Sequence, residues 1–302
     1  MNPFYTDYSE YLGGIFPGVK VQKISVDAGR SCPNRDGTIG RGGCIYCDNR
    51  SFTPGYCSGS NDGILSQIAK GKGFFARKYP EMKYLVYFQS YTFTHGASTA
   101  EAAEMVRTAI GTENTVGIII GTRPDCVPDE MLGMLAGFNR EKPVFIEFGA
   151  ESSCDATLGR INRGHTWADT TDAVRRASSL GIRCGLHLIA GLPGETLADA
   201  IETVKKSGEL PIDSIKLHQL QIIKGTELWR QWKDGAADIR IPSLEEYVDF
   251  CAEAVDAVPR HIAIERFLSQ APPDMVEAPC WRLKNYQFTN ILMKRLKEHR
   301  SY

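Results

Sequence analysis

The stretch "CPNRDGTIGRGGCIYC" carries Cys32, Cys44 and Cys47, with eleven residues between the first two thiols and two between the second pair. Thiolates are soft ligands for zinc and for iron–sulfur clusters. The two-residue spacer lets Cys44 and Cys47 reach one centre, and a glycine-rich excursion brings Cys32 round to it. Cys57 follows nine residues after Cys47, so C-x11-C-x2-C-x9-C could close a tetrahedral structural zinc site. Three thiols without the fourth suit an iron–sulfur cluster with one iron left open to a ligand. Spacing alone leaves both chemistries standing. Tyr46, directly before the last thiol, is placed to pack on the adenine face of a bound cofactor. Cys126, Cys184 and Cys251, scattered singly, read as small core residues.

Such a loop needs a scaffold, and the chain supplies one. Short apolar runs, rich in β-branched and aromatic residues, recur at 21–27, 83–88, 115–121, 144–149, 183–191 and 214–222. Between them lie stretches of helical period, several opened by capping residues: Ser98 or Thr99, Asp129, Thr196. Strands alternating with helices predict a parallel sheet, either doubly wound or a full or partial (β/α) barrel. In both, chemistry gathers at the C-terminal strand ends, and the cysteine loop follows the first strand. Glu147, His187 and His218 sit within apolar strands and read as satisfied core groups, although a strand-end position lining a barrel would make ligands of the histidines. After residue 224 the pattern changes: "SLEEYVDFCAEAVDAV", opened by Ser243, predicts an amphipathic helix, "HIAIERF" a further strand, and "NYQFTNILMKRLKEH" a closing helix.

Composition narrows the class. With 42% hydrophobic and 24% charged residues the chain is an ordinary folded protein. A net charge of −1 gives no general basic field, which argues against broad electrostatic binding of nucleic acid and leaves room for a local patch. "MNPFYTDYSEYLGG" shows no basic start followed by an apolar run, and no stretch suits a membrane helix, so a cytoplasmic location with reduced thiols is expected.

A three-cysteine loop after the first strand of a βα barrel, with an aromatic before the last Cys, resembles the radical S-adenosylmethionine (SAM) superfamily. The wide first spacing resembles the branch related to the catalytic subunit of the elongator complex, as do "IEFGAESSCDATLGRINRGHT" (146–166) and "GLPGET" (191–196). Within it the chain is similar to the short YhcC/YtqA-type group through "VQKISVDAGRSCPNRDGT", "YFQSYT", "INRGHT", "GLPGET", "KLHQL", "KGTEL" and "SLEEYVDF". The resemblance implies a partial (β/α)6 TIM-like barrel over residues 1–224, with a cluster loop at 28–59 and a C-terminal α/β extension over 225–302 packed on the core. It implies a [4Fe-4S] cluster held by Cys32, Cys44 and Cys47, with Cys57 outside the ligand set, and SAM whose reductive cleavage yields a 5′-deoxyadenosyl radical. For SAM contacts it points to Tyr46, to Gln89 and Ser90 in "FQSYT", to Glu151 and Ser152 in "GAES", to His187, and to Gly191 and Gly194. "FQSYT" departs from the family's two glycines and an acid, and Glu151 replaces a Gln. Arg163 and His165 would orient the loop after the strand carrying Glu151.

The elongator-like branch acts on carbon 5 of the wobble uridine of tRNA. Residues 224–302 are too few for the acetyltransferase domain of elongator subunits, so the resemblance implies a tailoring enzyme for a substituent already installed. One fitting reaction converts carboxymethylaminomethyluridine to aminomethyluridine, with a flavodoxin or ferredoxin as electron donor and a methyltransferase acting next. Lys70, Lys72, Arg77, Lys78, Lys284, Lys294, Arg295 and Lys297 are the candidate RNA contacts, each also readable as a solvated helix face. Two other readings compete: radical chemistry on a peptide or small molecule, and a noncatalytic protein with zinc on all four cysteines.

Overall fold

The structure is a computed structural model and describes residues 2–57, 62–76, 81–236 and 238–299. In chain order its strands are β1 (Thr6–Asp7), β2 (Val21–Val26), β3 (Lys83–Phe88), β4 (Thr115–Thr122), β5 (Val144–Glu151), β6 (Arg183–Ala190), β7 (Ser214–Gln219), β8 (Ile222–Ile223), β9 (Ala263–Arg266) and β10 (Val276–Ala278). Its helices are α1 (Tyr8–Ile15), α2 (Pro33–Asp36), α3 (Ile64–Ala76), α4 (Thr99–Ile110), α5 (Asp129–Asn139), α6 (Asp155–Arg160), α7 (Trp167–Ser179), α8 (Leu197–Gly208), α9 (Glu227–Lys233), α10 (Leu244–Ala257) and α11 (Asn285–His299).

Eight strands form one parallel sheet in the order β1-β9-β7-β6-β5-β4-β3-β2, and β8 pairs antiparallel with β10. The sheet is strongly curled. Lys23 on β2 forms an ion pair with Glu265 on β9, six places along the sheet. At about 4.8 Å per strand a flat sheet would hold them roughly 29 Å apart. Among the described residues no ladder joins β1 to β2, so the curl stops short of closure and the result is the partial barrel expected.

Alternation along each strand sorts the side chains into two faces. Outward residues such as Val86, Phe88, Ile120, Ile146, Leu186 and Leu217 are buried against Val106 of α4, Leu132 and Leu135 of α5, Val174 of α7 and Val204 of α8. Because helices cover this face, the strands read as nearly continuous apolar runs. Inward residues near the strand starts, Leu85, Ile119, Phe145 and Ala263, pack on Tyr8 and Leu12 of α1, which plugs that end of the barrel.

The helices begin where their capping chemistry lies. Ser98, Thr166, Thr196 and Ser243 each make a reciprocal capping box with an acidic residue three positions on. Asp129 is the exception to the expected caps. Pro128 holds the N-cap of α5 and Asp129 is the first helical residue, where its charge still favours the helix N-terminus. The run at 214–222 also divides: β7 ends at Gln219, and Ile222–Ile223 turns away to pair with β10.

Candidate functional site

A cavity of about 1260 Å³ fills the barrel from the charged middle of the strands to the cysteine loop. It exceeds the roughly 300–1,000 Å³ of ordinary small-molecule sites, leaving room for more than one ligand. Cys32, Cys44 and Cys47 all line it. Cys32 caps α2, whose Pro33 suits a first helical turn, and its carbonyl accepts from the Arg35 backbone N–H at 2.7 Å. The "INRGHT" segment stitches the loop in place. Asn34 Nδ2 donates to the carbonyl of Asn162 and, at 2.9 Å, to that of Arg163. Asn162 Nδ2 donates to the Gly43 carbonyl at 2.8 Å, and the Ile45 N–H donates to the Ile161 carbonyl at 3.1 Å. Gly164 must be glycine here: its φ is +78°, and a Cβ would lie 2.9 Å from Asn34 Oδ1.

Guanidinium groups frame the thiols. Arg163 Nη1 lies 3.5 Å from Cys44 Sγ, while its Nη2 donates to the Gly149 carbonyl at 2.6 Å and stands 3.4 Å from Glu151 Oε1. Arg35 Nη2 donates to the Cys47 carbonyl at 2.6 Å, and its guanidinium lies over the Tyr91 ring. Burial pushes the Cys47 thiol up to about 12, Cys44 adds to the rise and Arg35 opposes it. Loading a metal centre would therefore release protons, with fixed positive charge ready to stabilise the thiolates.

Cys57 stands apart: it is buried, donates its thiol to the Ser25 carbonyl at 3.0 Å, and is not among the cavity-lining residues. Among the described residues no three His, Cys, Asp or Glu side chains converge as one metal ion requires. A closed zinc site needs four sulfurs about 2.3 Å from one ion. A cubane spreads its thiolates over separate irons. The three cavity-lining thiols fit a cluster with three protein ligands, and Cys57 lies apart from them.

Of the remaining expected residues, Tyr46, Gln89, Glu151 and His187 line the cavity, and Ser90, Ser152, Gly191 and Gly194 do not. Tyr46 packs among Leu158, Leu192 and Leu228. Gln89 Oε1 accepts from Ser25 Oγ at 2.7 Å. Ser90 is buried between Gln89 and Tyr91, which take the wall in its place. Ser152 is fully buried, donates to Glu195 and accepts the Cys154 N–H at 2.9 Å. Gly191 and Gly194 adopt φ of +87° and +75°, and a Cβ on Gly194 would meet Arg160 Nη1 at 1.7 Å. Their glycine requirement is thus met by the turn and by Arg160. Glu151 itself sits at φ +68°, where the β5–β6 register shifts, a left-handed conformation that costs a non-glycine residue on the order of 1 kcal/mol.

Below these residues lies a charged layer that the sequence reading does not assemble. Glu147, 3% exposed, contacts Lys23 Nζ at 2.9 Å, His187 Nε2 at 2.9 Å and Lys216 Nζ. Lys216 also reaches Glu265 at 3.2 Å and stands over the Tyr87 ring. Burial, the largest influence, draws Lys216 down to about 8 despite Glu147 and Glu265, helped by like charge on Lys23 and Arg266. Lys23 shares those carboxylates and burial opposes its charge too, yet Glu147 and Glu265 hold it above its ordinary value. Burial keeps His187 and His218 below the usual histidine range, and their rings lie 5.5 Å apart. The available signal was charge placed inside several apolar runs: Lys23, Glu147, Lys216 and Glu265.

The expected basic contacts are largely spoken for. Lys70 pairs with Asp62, Lys72 binds the Glu113 carbonyl, Arg295 pairs with Asp249, and Lys294 is 4.0 Å from Glu298. None of these, nor Lys284 or Lys297, lines the cavity. Arg77 and Lys78 lie outside the described residues. Exposed aromatic residues do line the cavity: Phe74 and Tyr286 are 70% and 63% exposed, with Phe52 also exposed and Tyr56 and Phe75 beside them.

A partly closed parallel barrel that carries three thiols on the loop after β2, opening on a large cavity, defines a cluster-binding barrel enzyme. The radical SAM superfamily model matches residues 30–206, and the Radical_SAM C-terminal domain model matches residues 212–298. This chain belongs to the radical SAM superfamily, whose members use a [4Fe-4S] cluster and SAM. It is similar to protein YhcC of Escherichia coli strain K12, 36% identical over 283 residues that cover 93% of this chain and 89% of that protein. It is similar to the tRNA uridine(34) acetyltransferase of Methanocaldococcus jannaschii, 25% identical over 183 residues covering 60% of this chain and 33% of that protein. Among solved structures, archaeal Methanocaldococcus infernus Elp3 with residues 1–46 deleted aligns with a TM-score of 0.68 and 17% identity, over 93% of this chain and 63% of that one, a likeness of fold. No described helix is long and apolar enough to cross a membrane.

Proposed function

We propose that this radical SAM enzyme tailors the carbon-5 substituent of the wobble uridine in tRNA, oxidatively removing the carboxymethyl part of carboxymethylaminomethyluridine. With SAM as the two-electron oxidant, loss of a methylene hydrogen and one further electron gives an imine whose hydrolysis releases glyoxylate and leaves aminomethyluridine. The observation that carries the radical chemistry is the division among the four N-terminal cysteines: Cys32, Cys44 and Cys47 open on one cavity while Cys57 is turned to a backbone carbonyl. When bound, the cluster and SAM supply a 5′-deoxyadenosyl radical that abstracts hydrogen from the substrate. In this reading Cys32, Cys44 and Cys47 hold the cluster, and Arg163 and Arg35 compensate its negative charge. Tyr46 packs on the adenine, and Gln89, Glu151 and His187 face the polar parts of SAM.

The tRNA substrate is supported by the likeness to a protein named for uridine 34 and by the exposed Phe52, Phe74 and Tyr286 along the cavity. Unstacked bases are commonly received on aromatic rings. A flavodoxin or ferredoxin supplies the electron, and a methyltransferase takes the product.

Two measurements test the proposal. Anaerobically reconstituted protein is expected to bind iron and sulfide and, with SAM and a reductant, to form 5′-deoxyadenosine; a protein that loads only zinc defeats the reading. Nucleoside profiling of tRNA from a deletion strain is expected to show the carboxymethylaminomethyl form accumulating. An unchanged profile moves the chemistry to a peptide or small molecule.

A further inference from the structure

We propose that the inner end of this cavity is a carboxylate subsite anchored by Arg266; the inference rests on the uridine reading for the body of the ligand, not for its charge. Arg266 ends β9 and lines the cavity. Its charge is felt by its neighbours His218, Lys216, Tyr87 and Glu265. Both carboxylates of the charged layer are already engaged: Glu147 by Lys23, Lys216 and His187, and Glu265 by Lys23 and Lys216. Arg266 has no ion pair among the described residues, and its Nε is a buried atom without a hydrogen-bond partner. His218 Nε2, a second cavity-lining atom, is likewise buried and unpartnered.

The layer thus sets three basic side chains, Lys23, Lys216 and Arg266, against two carboxylates, Glu147 and Glu265, while burial disfavours the charged form of both histidines. An uncompensated charge on a partly buried side chain carries a cost, and a bound counter-charge lowers it. The excess is a single positive charge, which matches a carboxylate rather than a phosphate dianion. A guanidinium offers that carboxylate two parallel N–H donors. The ligand's acid end therefore points toward β7 and β9, and its base toward the aromatic residues.

The test is equilibrium binding to anaerobic, cluster-loaded protein in the presence of SAM, using 5-carboxymethylaminomethyluridine, its methyl ester and N-ethylglycine as probes. The free acid is expected to bind at least tenfold more tightly than the ester. Arg266→Gln should abolish that preference and Arg266→Lys should restore part of it, with unfolding temperature and iron content measured on both. N-ethylglycine bound in an Arg266-dependent way, with neither nucleoside bound, would uphold the subsite and defeat the uridine reading. Equal binding of acid and ester by the wild-type protein overturns the subsite, as does a preference that survives Arg266→Gln. Loss of SAM affinity in Arg266→Gln with the acid preference intact would assign the residue to the cofactor and also overturn it.

Discussion

Cys44 and Cys57 are both buried cysteines in the same N-terminal region, yet one faces Arg163 at the cavity wall and the other the Ser25 carbonyl. Alanine at Cys32, Cys44 or Cys47 is expected to abolish iron binding, measured as iron and sulfide per chain. Cys57→Ala should keep full iron content and cost about 1 kcal/mol of stability for the lost packing. Glu147 makes a different prediction. It is the shared partner of two buried lysines, so Glu147→Gln strands like charges in the barrel and should cost about 3–5 kcal/mol in denaturant unfolding. Although burial opposes it, Lys216 and Lys23 hold the Glu147 pKa well below the ordinary carboxylate value. Its stabilisation is therefore complete above the unfolded value of about 4.3 and is lost as pH falls toward the depressed folded value. Unfolding followed across that acid range should show a shallower slope in Glu147→Gln. The thiols were legible because three cysteines in sixteen residues are conspicuous in a chain with nine. Glu147 and His187 were visible only as singletons, since their partners Lys216 and Lys23 come from strands far away in sequence, and no local pattern links them.

Strands were the most legible elements, because both faces are covered and each is a dense apolar run. Less visible was how "INRGHT", which follows α6, holds a loop more than a hundred residues upstream. Its contacts run through side-chain amides and backbone carbonyls, which leave no periodicity to read. The element-scale prediction follows from Gly164. Gly164→Ala puts a methyl against Asn34 in a backbone conformation that disfavours it. Cluster loss on exposure to chelator should accelerate severalfold, while the global unfolding midpoint moves much less, because the sheet does not depend on this contact. A parallel loss of both would make the segment part of the core and not a clamp for the loop. α1 and the β8–β10 pair were missed for a simpler reason: a two-residue strand and a glycine-containing eight-residue helix carry little pattern.

At the scale of the molecule, a net charge of −1 and engaged basic residues set the expectation for RNA binding. Affinity for tRNA should depend weakly on salt, with a log–log slope no steeper than about −2, corresponding to two or three phosphate contacts. Alanine at Phe74 or Tyr286 should weaken binding by about 1–3 kcal/mol for a stacked base. A steep slope with no aromatic effect would assign recognition to phosphates instead. The curl of the sheet has one more consequence. Between β1 and β2 the wall is crossed by Lys23, which reaches Glu265 and lies 4.2 Å from the Tyr8 ring, and not by a backbone ladder. Asp7, Ser9 and Gln22 beside that gap belong to the same inner space as the cysteines. A closed cylinder admits only what can be threaded through an end; among the described residues this one has a side buttoned by side chains and not sewn by a backbone ladder. For the tRNA nucleotide proposed above, which has no free end to thread, a wall without a closing ladder is the kind that does not demand threading.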